Sequence, residues 1–249
     1  RTGIQPGVSA IAGYVAAKSV WEELEPKWLA ELDKYKIERF HRSEVRHWLG
    51  RERGEECIRV FAKLIEPRLH DMVWSAVIDD DWNALDKPPA FANRFPSVLH
   101  FCFEHVIWQL SAWGKVNAAG ELIAPVFDDD MSPSAANAIY EEYKASALHP
   151  NLIASITWAS SGVHRMIETA DLAAGELQQS WFDREFPKDT SRSELQRLAE
   201  TKPQFHAAIS GKSYSDSGLW ALDSLQRAVV DLEERGDAFV SRYCTLQTI

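Results

Sequence analysis

Residues 122–130 read LIAPVFDDD, and this stretch constrains the chain more than any other. Five of its first six residues are apolar, with Pro125 among them, and three aspartates follow at once: Asp128, Asp129 and Asp130. A short unbroken apolar run suits a strand buried on both faces of a sheet. Such a strand would end in a cluster of carboxylates, and in open α/β sheets ligand chemistry sits just beyond the carboxyl ends of strands. The competing reading is a hairpin or a helix-capping turn, because aspartate is also a turn and N-cap residue.

The rest of the chain places this run in an alternation. Residues 8–17 (VSAIAGYVAA), 72–78 (MVWSAVI) and 151–158 (NLIASITW) also read as strands. Between them lie helical patterns over about 20–35, 54–69, 97–113 and 132–147, then 163–181, with further helices near 194–201, 218–235 and 237–243. Ser19 caps the first in this reading, Gly114 ends the third, and Pro26 marks a kink or a delayed start. Residues 86–96 carry Pro88, Pro89 and Pro96 and read as a loop, and Asp79 to Asp81 as a solvated turn. Strands alternating with helices long enough to be crossovers predict an α/β fold, with 8–17, 72–78, 122–127 and 151–158 in one mixed sheet flanked by helices.

Composition narrows the setting. The chain has 249 residues, 45% apolar, with no run long enough to span a membrane. The opening RTGIQPGVSA lacks the apolar region of a secretory signal, and the chain does not begin with methionine, so its natural start is expected upstream. Cys57, Cys102 and Cys244 form no metal-binding pattern and read as free thiols of a reducing cytoplasm. The net charge of -10 argues against a surface built for non-specific duplex binding while leaving room for a local basic groove. Ten tryptophans is a high count; Trp21, Trp28, Trp48, Trp108, Trp181 and Trp220 fall in helical segments and are expected to be packing anchors.

Some carboxylates do not fit their surroundings. The segment after Ser161 reads VHRMIETADLAAGELQQSWF, with an apolar stripe through Val163, Ile167, Ala170, Ala174, Leu177 and Trp181. At about 100° per residue Asp171 falls within that stripe and Glu168 on its edge. A buried carboxylate is costly unless it is paired or binds a cation. The two expectations are a functional site and an ion pair with an arginine such as Arg165. Ala170, Ala173, Ala174 and Gly175 would let this helix approach a sheet closely. His41 follows the run IERF, with Glu44 three residues on; it reads as a metal or proton-transfer residue, or as part of a helix cap.

The ordered pieces AIAGYVAAKSVWEELEPKW, Phe40–His41, PVFDDD, NAIYEEYK and ETADLAAGEL resemble the prokaryotic and phage proteins catalogued as domain of unknown function 3800. The resemblance spans roughly residues 8–180. It implies a ribonuclease H-like fold and metal-dependent nuclease activity, with Asp128 and Asp171 as metal ligands and His41 as the family's histidine. Members usually open with a strand bearing an Asp-Glu-Ser type motif, and no such motif precedes Val8. Either that strand lies outside this sequence or the site is degenerate.

The expectation is therefore a ribonuclease H-like α/β core over residues 1–185, with a helical insertion at about 42–70 and a helical C-terminal extension over 186–249. The expected activity is a divalent-metal-dependent nuclease or related phosphodiester hydrolase. Asp128 and Asp171 hold Mg2+ or Mn2+, Glu168 or Asp130 assists, and His41 positions water or substrate. Oxygen ligands suit both ions. The partner is nucleic acid, with no membrane involved. The alternative is a non-catalytic interaction protein that keeps the fold after losing its first carboxylate.

Overall fold

A computed structural model describes residues 7–65, 71–118, 120–129, 133–145, 152–185, 219–220 and 222–235, with side chains not described at 180–185, 219–224, 231 and 233–235. Among these residues the chain is mixed α/β and mostly helical. In order come β1 (Val8–Val15), α1 (Lys18–Tyr35), α2 (Arg42–Leu49), α3 (Arg51–Ile65), β2 (Asp71–Ile78), α4 (Asp79–Ala84) and α5 (Pro89–Arg94). Then follow α6 (Val98–Asn117), β3 (Val126–Asp128), α7 (Pro133–Ala145), β4 (Thr157–Ala159), α8 (Ile167–Glu185), β5 (Leu219–Trp220) and α9 (Leu222–Arg235). No described helix is long and apolar enough to cross a membrane. The helices expected near 194–201 and 237–243 lie outside the described residues.

Among the described residues the single expected sheet is two. One has the strand order β1-β2-β5, with β5 parallel to β2 and Ala76 opposite Leu219; the other holds β3 and β4 alone. The expectation that 122–127 is covered on both faces is also wrong. Leu122 is 60% and Val126 43% exposed, and along the run exposed residues alternate with half-buried ones. Pairing explains this. Pro125 has no N–H to give and enters the ladder only through its carbonyl, which accepts from Thr157. In this two-stranded ribbon Phe127 packs on Phe103 and Trp158, while the face carrying Leu122 and Val126 stays open.

Several local expectations shift for physical reasons. Gly114 does not end α6, which continues to Asn117. A Cβ at Gly114 would lie 2.9 Å from Ile123 Cδ1, so this glycine is a close-approach point inside the helix. Pro26 lies within an uninterrupted α1, whose start is at Lys18 with no side-chain cap. Burial of Leu24, Trp28, Leu32 and Tyr35 outweighs the backbone bond that proline forfeits. Helix α2 falls where a helical insertion was expected, whereas Asp79 to Asp81 open α4 in place of a solvated turn and the proline-rich loop contains α5 with Pro89 in its first turn. The start of the expected 218–235 helix pairs instead as β5. Trp28 and Trp108 are packing anchors as expected, whereas Trp48 is 41% exposed.

The chain divides into two compact units, with boundaries inside β1, inside β2, before the last residue of β4 and after residue 210. The first comprises Arg1–Ile11, Trp74–Trp158 and Gly211–Ile249. Its core is an aromatic cluster of Trp82, Phe91, Phe95 and Phe101, with α9 packed on α4 and α5. Two polar groups on α6, the buried Glu104 and the half-buried Gln109, are accounted for by partners. Glu104 takes a two-pronged pair of hydrogen bonds from Arg94, each 3.0 Å. The Gln109 side-chain amide donates to the Trp74 carbonyl at 2.7 Å and accepts from the Trp74 N–H at 3.0 Å, serving β2 as a neighbouring strand would.

His105, one turn before Gln109 and buried, sets a pH dependence in this unit. Burial holds its imidazole down to about 4, against an ordinary value of 6.5. As pH falls below 6.5 the unfolded chain takes up this proton first, so folding weakens across the window from 6.5 to about 4. The loss is on the order of 3 kcal/mol. Urea unfolding followed by tryptophan fluorescence should show it, and His105→Leu should flatten that part of the profile. An unchanged slope in the variant would assign the titration to another group.

The second unit comprises Ala12–Val73 and Ala159–Ser210. Its core joins α1, α3 and the start of α2 through Leu24, Trp28, Phe40, Val45, Cys57 and Phe61, with Leu172 of α8 packed among them. Trp28 and Phe61 meet edge-on at 4.4 Å. Small residues let α8 come close to β1, as at Ala170, whose Cβ is 4.0 Å from where a Cβ on Gly13 would stand.

Candidate functional site

Helix α8 carries three carboxylates on one face, and all three engage the short segment that leads into α2. Glu168 is fully buried. Its Oε2 accepts from Trp28 Nε1 at 2.7 Å and from the Phe40 N–H at 3.0 Å, and its Oε1 accepts from Arg165 Nη1 at 3.2 Å. Glu176 Oε1 accepts from Arg42 Nε at 2.6 Å and also pairs with Nη2. Between them Asp171 Oδ2 accepts from the Arg42 N–H at 2.6 Å. Gly175 makes this packing possible, because a Cβ there would stand 2.2 Å from Arg42 Cδ.

Asp171 does for α2 what that helix's own N-cap does not. His41 is the N-cap residue, in extended conformation with φ -134°, and its side chain makes no capping bond. The Asp171 carboxylate supplies the acceptor from another helix, and its charge sits where the helix dipole favours an anion. Burial pushes its carboxyl above the usual range; the Arg42 N–H, His41 and the Arg42 charge oppose that shift, while Glu44 adds to it. The Glu168 carboxyl is also raised by burial, against the pull of Trp28, Phe40 and Arg165.

His41 is drawn to the same place from 130 positions away. Its Nε2 lies 3.8 Å from Asp171 Oδ1 and its Nδ1 2.9 Å from Ser43 Oγ. The imidazole and Asp171 are both partly exposed, 41% and 33% by side chain, so this end of α2 is open to solvent.

The structure thus groups His41, Asp171 and Glu168, three of the five expected site residues. Asp128 ends β3 in the first unit and is exposed; Asp130 lies outside the described residues. Among the described residues no three His, Cys, Asp or Glu side chains are arranged to hold a metal ion. The expected stripe on α8 is out of register. Val163 precedes the helix and is 74% exposed; Ile167 and Leu177 of that stripe are buried, Ala170 and Ala174 are half-buried, and the other buried positions are Glu168, Thr169, Leu172, Ala173 and Glu176. Asp171 therefore flanks the buried face, and Glu168 and Glu176 are the acids within it. The expected ion pair with Arg165 forms at Glu168, and the same guanidinium donates to the Glu38 carbonyl. Sequence reading missed Arg42, Glu176 and Ser43. The glycine immediately before Glu176 was the one local hint that something large crosses the helix there.

Compared with known families, curated proteins and solved structures, the chain matches no family model, no curated protein and no solved structure.

Proposed function

We propose that this chain is a divalent-metal-dependent hydrolase of phosphodiesters, a nuclease with a ribonuclease H-like core, whose working end includes His41 and Asp171. The observation that carries the reading is the approach of these two residues, each singled out from the sequence alone, to 3.8 Å across 130 positions. The resemblance of the ordered motifs supports it.

The donor set fits one ion and not a cage. Magnesium keeps several waters and usually takes one or two carboxylates plus substrate phosphates. Asp171 has Oδ2 committed to Arg42 and presents Oδ1 toward solvent-accessible His41, so it suits such an ion. Glu168 does not, since three N–H groups take its two oxygens. A bound magnesium or manganese would polarise a phosphoryl oxygen and make its water more acidic. The chain's own part is to hold Asp171 fixed through Arg42 and to keep the imidazole of His41 beside it as a proton acceptor for water.

The second reading, an interaction protein without catalysis, is favoured by one observation: all three α8 carboxylates already hold residues 40–42 in place. Calorimetry separates the two. Manganese is expected to bind the wild type and not Asp171→Asn. Without metal the variant should melt within about 1 kcal/mol of wild type, because the amide oxygen still accepts the Arg42 N–H and a half-buried charge is removed. Equal binding by both proteins, or none by either, would leave the interaction reading.

A further inference from the structure

We propose that Ser43, His41 and Asp171 form a metal-independent nucleophilic site, in which Ser43 Oγ takes the acyl group of small esters. The requirements for such a site are a hydroxyl within hydrogen-bond reach of a base and a third group that orients the base. Ser43 Oγ lies 2.9 Å from His41 Nδ1. Asp171 Oδ1 faces Nε2 at 3.8 Å; with the imidazole proton on Nε2, toward that carboxylate, Nδ1 is left to accept from the Ser43 hydroxyl. Asp171 is itself fixed by the Arg42 N–H, and Arg42 by the buried Glu176. The orienting acid is thus anchored by a second layer of contacts.

The surroundings suit the chemistry. Ser43 is exposed, so an ester can reach it. It occupies the first turn of α2, where helix N–H groups have no intrahelical partner, and its own N–H has none among the described residues. That N–H and the positive end of the helix are placed to stabilise the oxyanion of a tetrahedral intermediate. Arg39 pairs with Glu44, the residue after Ser43, at 3.3 Å and so offsets that carboxylate's charge. The 3.8 Å between Nε2 and Oδ1 must close by about 1 Å during reaction, as catalytic hydrogen bonds commonly do on going from the free to the loaded site.

The step balances without a metal or a redox partner. Ser43 Oγ bonds to the carbonyl carbon, its proton passes to His41 Nδ1, and the bond to the leaving alkoxide breaks as that proton is returned to it. Water then repeats the sequence on the acyl-serine, releasing the acid and restoring Ser43. Asp171 is a positioning residue here. A cation on Asp171 would compete for Oδ1, so this activity is separate from the phosphodiester reading and is assayed in EDTA.

A fluorophosphonate probe tests it directly: Oγ–P forms, P–F breaks, fluoride leaves, and His41 takes the proton. The full chain, in EDTA, is expected to gain one adduct, mapped by mass spectrometry to Ser43. Ser43→Ala should abolish it, and His41→Gln should slow it by at least about 100-fold, the usual share of a general base. Asp171→Asn should slow labelling while leaving the melting temperature in place. It should also shift the ring 15N resonances of His41 toward the other tautomer, a change that loss of a merely structural contact would not produce. No adduct, an adduct on another residue, or undiminished labelling of His41→Gln would each overturn the proposal. None of these outcomes bears on manganese binding by Asp171.

Discussion

Glu168→Ala is expected to cost about 3–5 kcal/mol, because it strands two buried donors at once and an unsatisfied buried donor typically costs about 1–3 kcal/mol. The donors are Trp28 Nε1 and the Phe40 N–H, both on Oε2, at the centre of the α1–α3 core. The indole cannot turn away without opening its contact with Phe61 at 4.4 Å. Glu168→Gln should behave differently, staying within about 1.5 kcal/mol of wild type, since its carbonyl oxygen can keep both bonds and only the Arg165 bond is lost. The charge itself gives little. Burial raises the folded carboxyl above its ordinary 4.5, so the folded state binds this proton more tightly and its contribution to stability falls as pH rises through that window. Urea unfolding of the three proteins at neutral pH would measure this. An alanine variant as stable as wild type would mean that water reaches Trp28 and Phe40 when the carboxylate is gone.

Glu176→Ala is expected to lose a similar amount, about 3–5 kcal/mol, for a different reason: it leaves a buried cation uncompensated. The Arg42 and Glu176 side chains are 8% and 4% exposed. The Arg42 side chain crosses Gly175, with Cδ 2.2 Å and Nε 3.2 Å from where a Cβ there would stand, so it has little room to swing into solvent. Burial against the α1–α3 core and the same carboxylate together raise the phenol of Tyr14. Arg42→Leu with Glu176→Leu should recover most of the loss, because a buried pair replaced by apolar groups of similar volume is often close to neutral. Additive losses in the double variant would mean that the two side chains act through other neighbours. The backbone N–H of Arg42 survives these changes, so the Asp171 contact provides an internal control.

Much of the helix pattern was legible because it is local. Leu24, Trp28 and Leu32 recur at helical spacing and are all buried. Beyond the helices, the sequence marked the ends of the strands and the unusual α8 acids. Sheet membership was not legible: whether 122–127 joins 72–78 depends on hydrogen bonds between segments far apart in sequence, and Pro125 gives its ribbon only one side of a ladder. The register of α8 was misjudged by including Val163, since the start of that helix is fixed by the turn over residues 160–166 and not by hydrophobicity.

The same division runs through the candidate site. Residue chemistry alone singled out His41, Glu168 and Asp171, since a carboxylate on a packing face needs a partner or an ion wherever it folds. Which partner it finds is a tertiary matter. Glu168 received Trp28, Phe40 and Arg165, and Asp171 received the N-terminus of α2. Those donors lie as much as 140 positions away, and two are backbone N–H groups, which carry no sequence signature at all. The need for compensation was written in the residues; the identity of the compensating groups was decided by where the core of α1, α2 and α3 set residues 40–42 against α8.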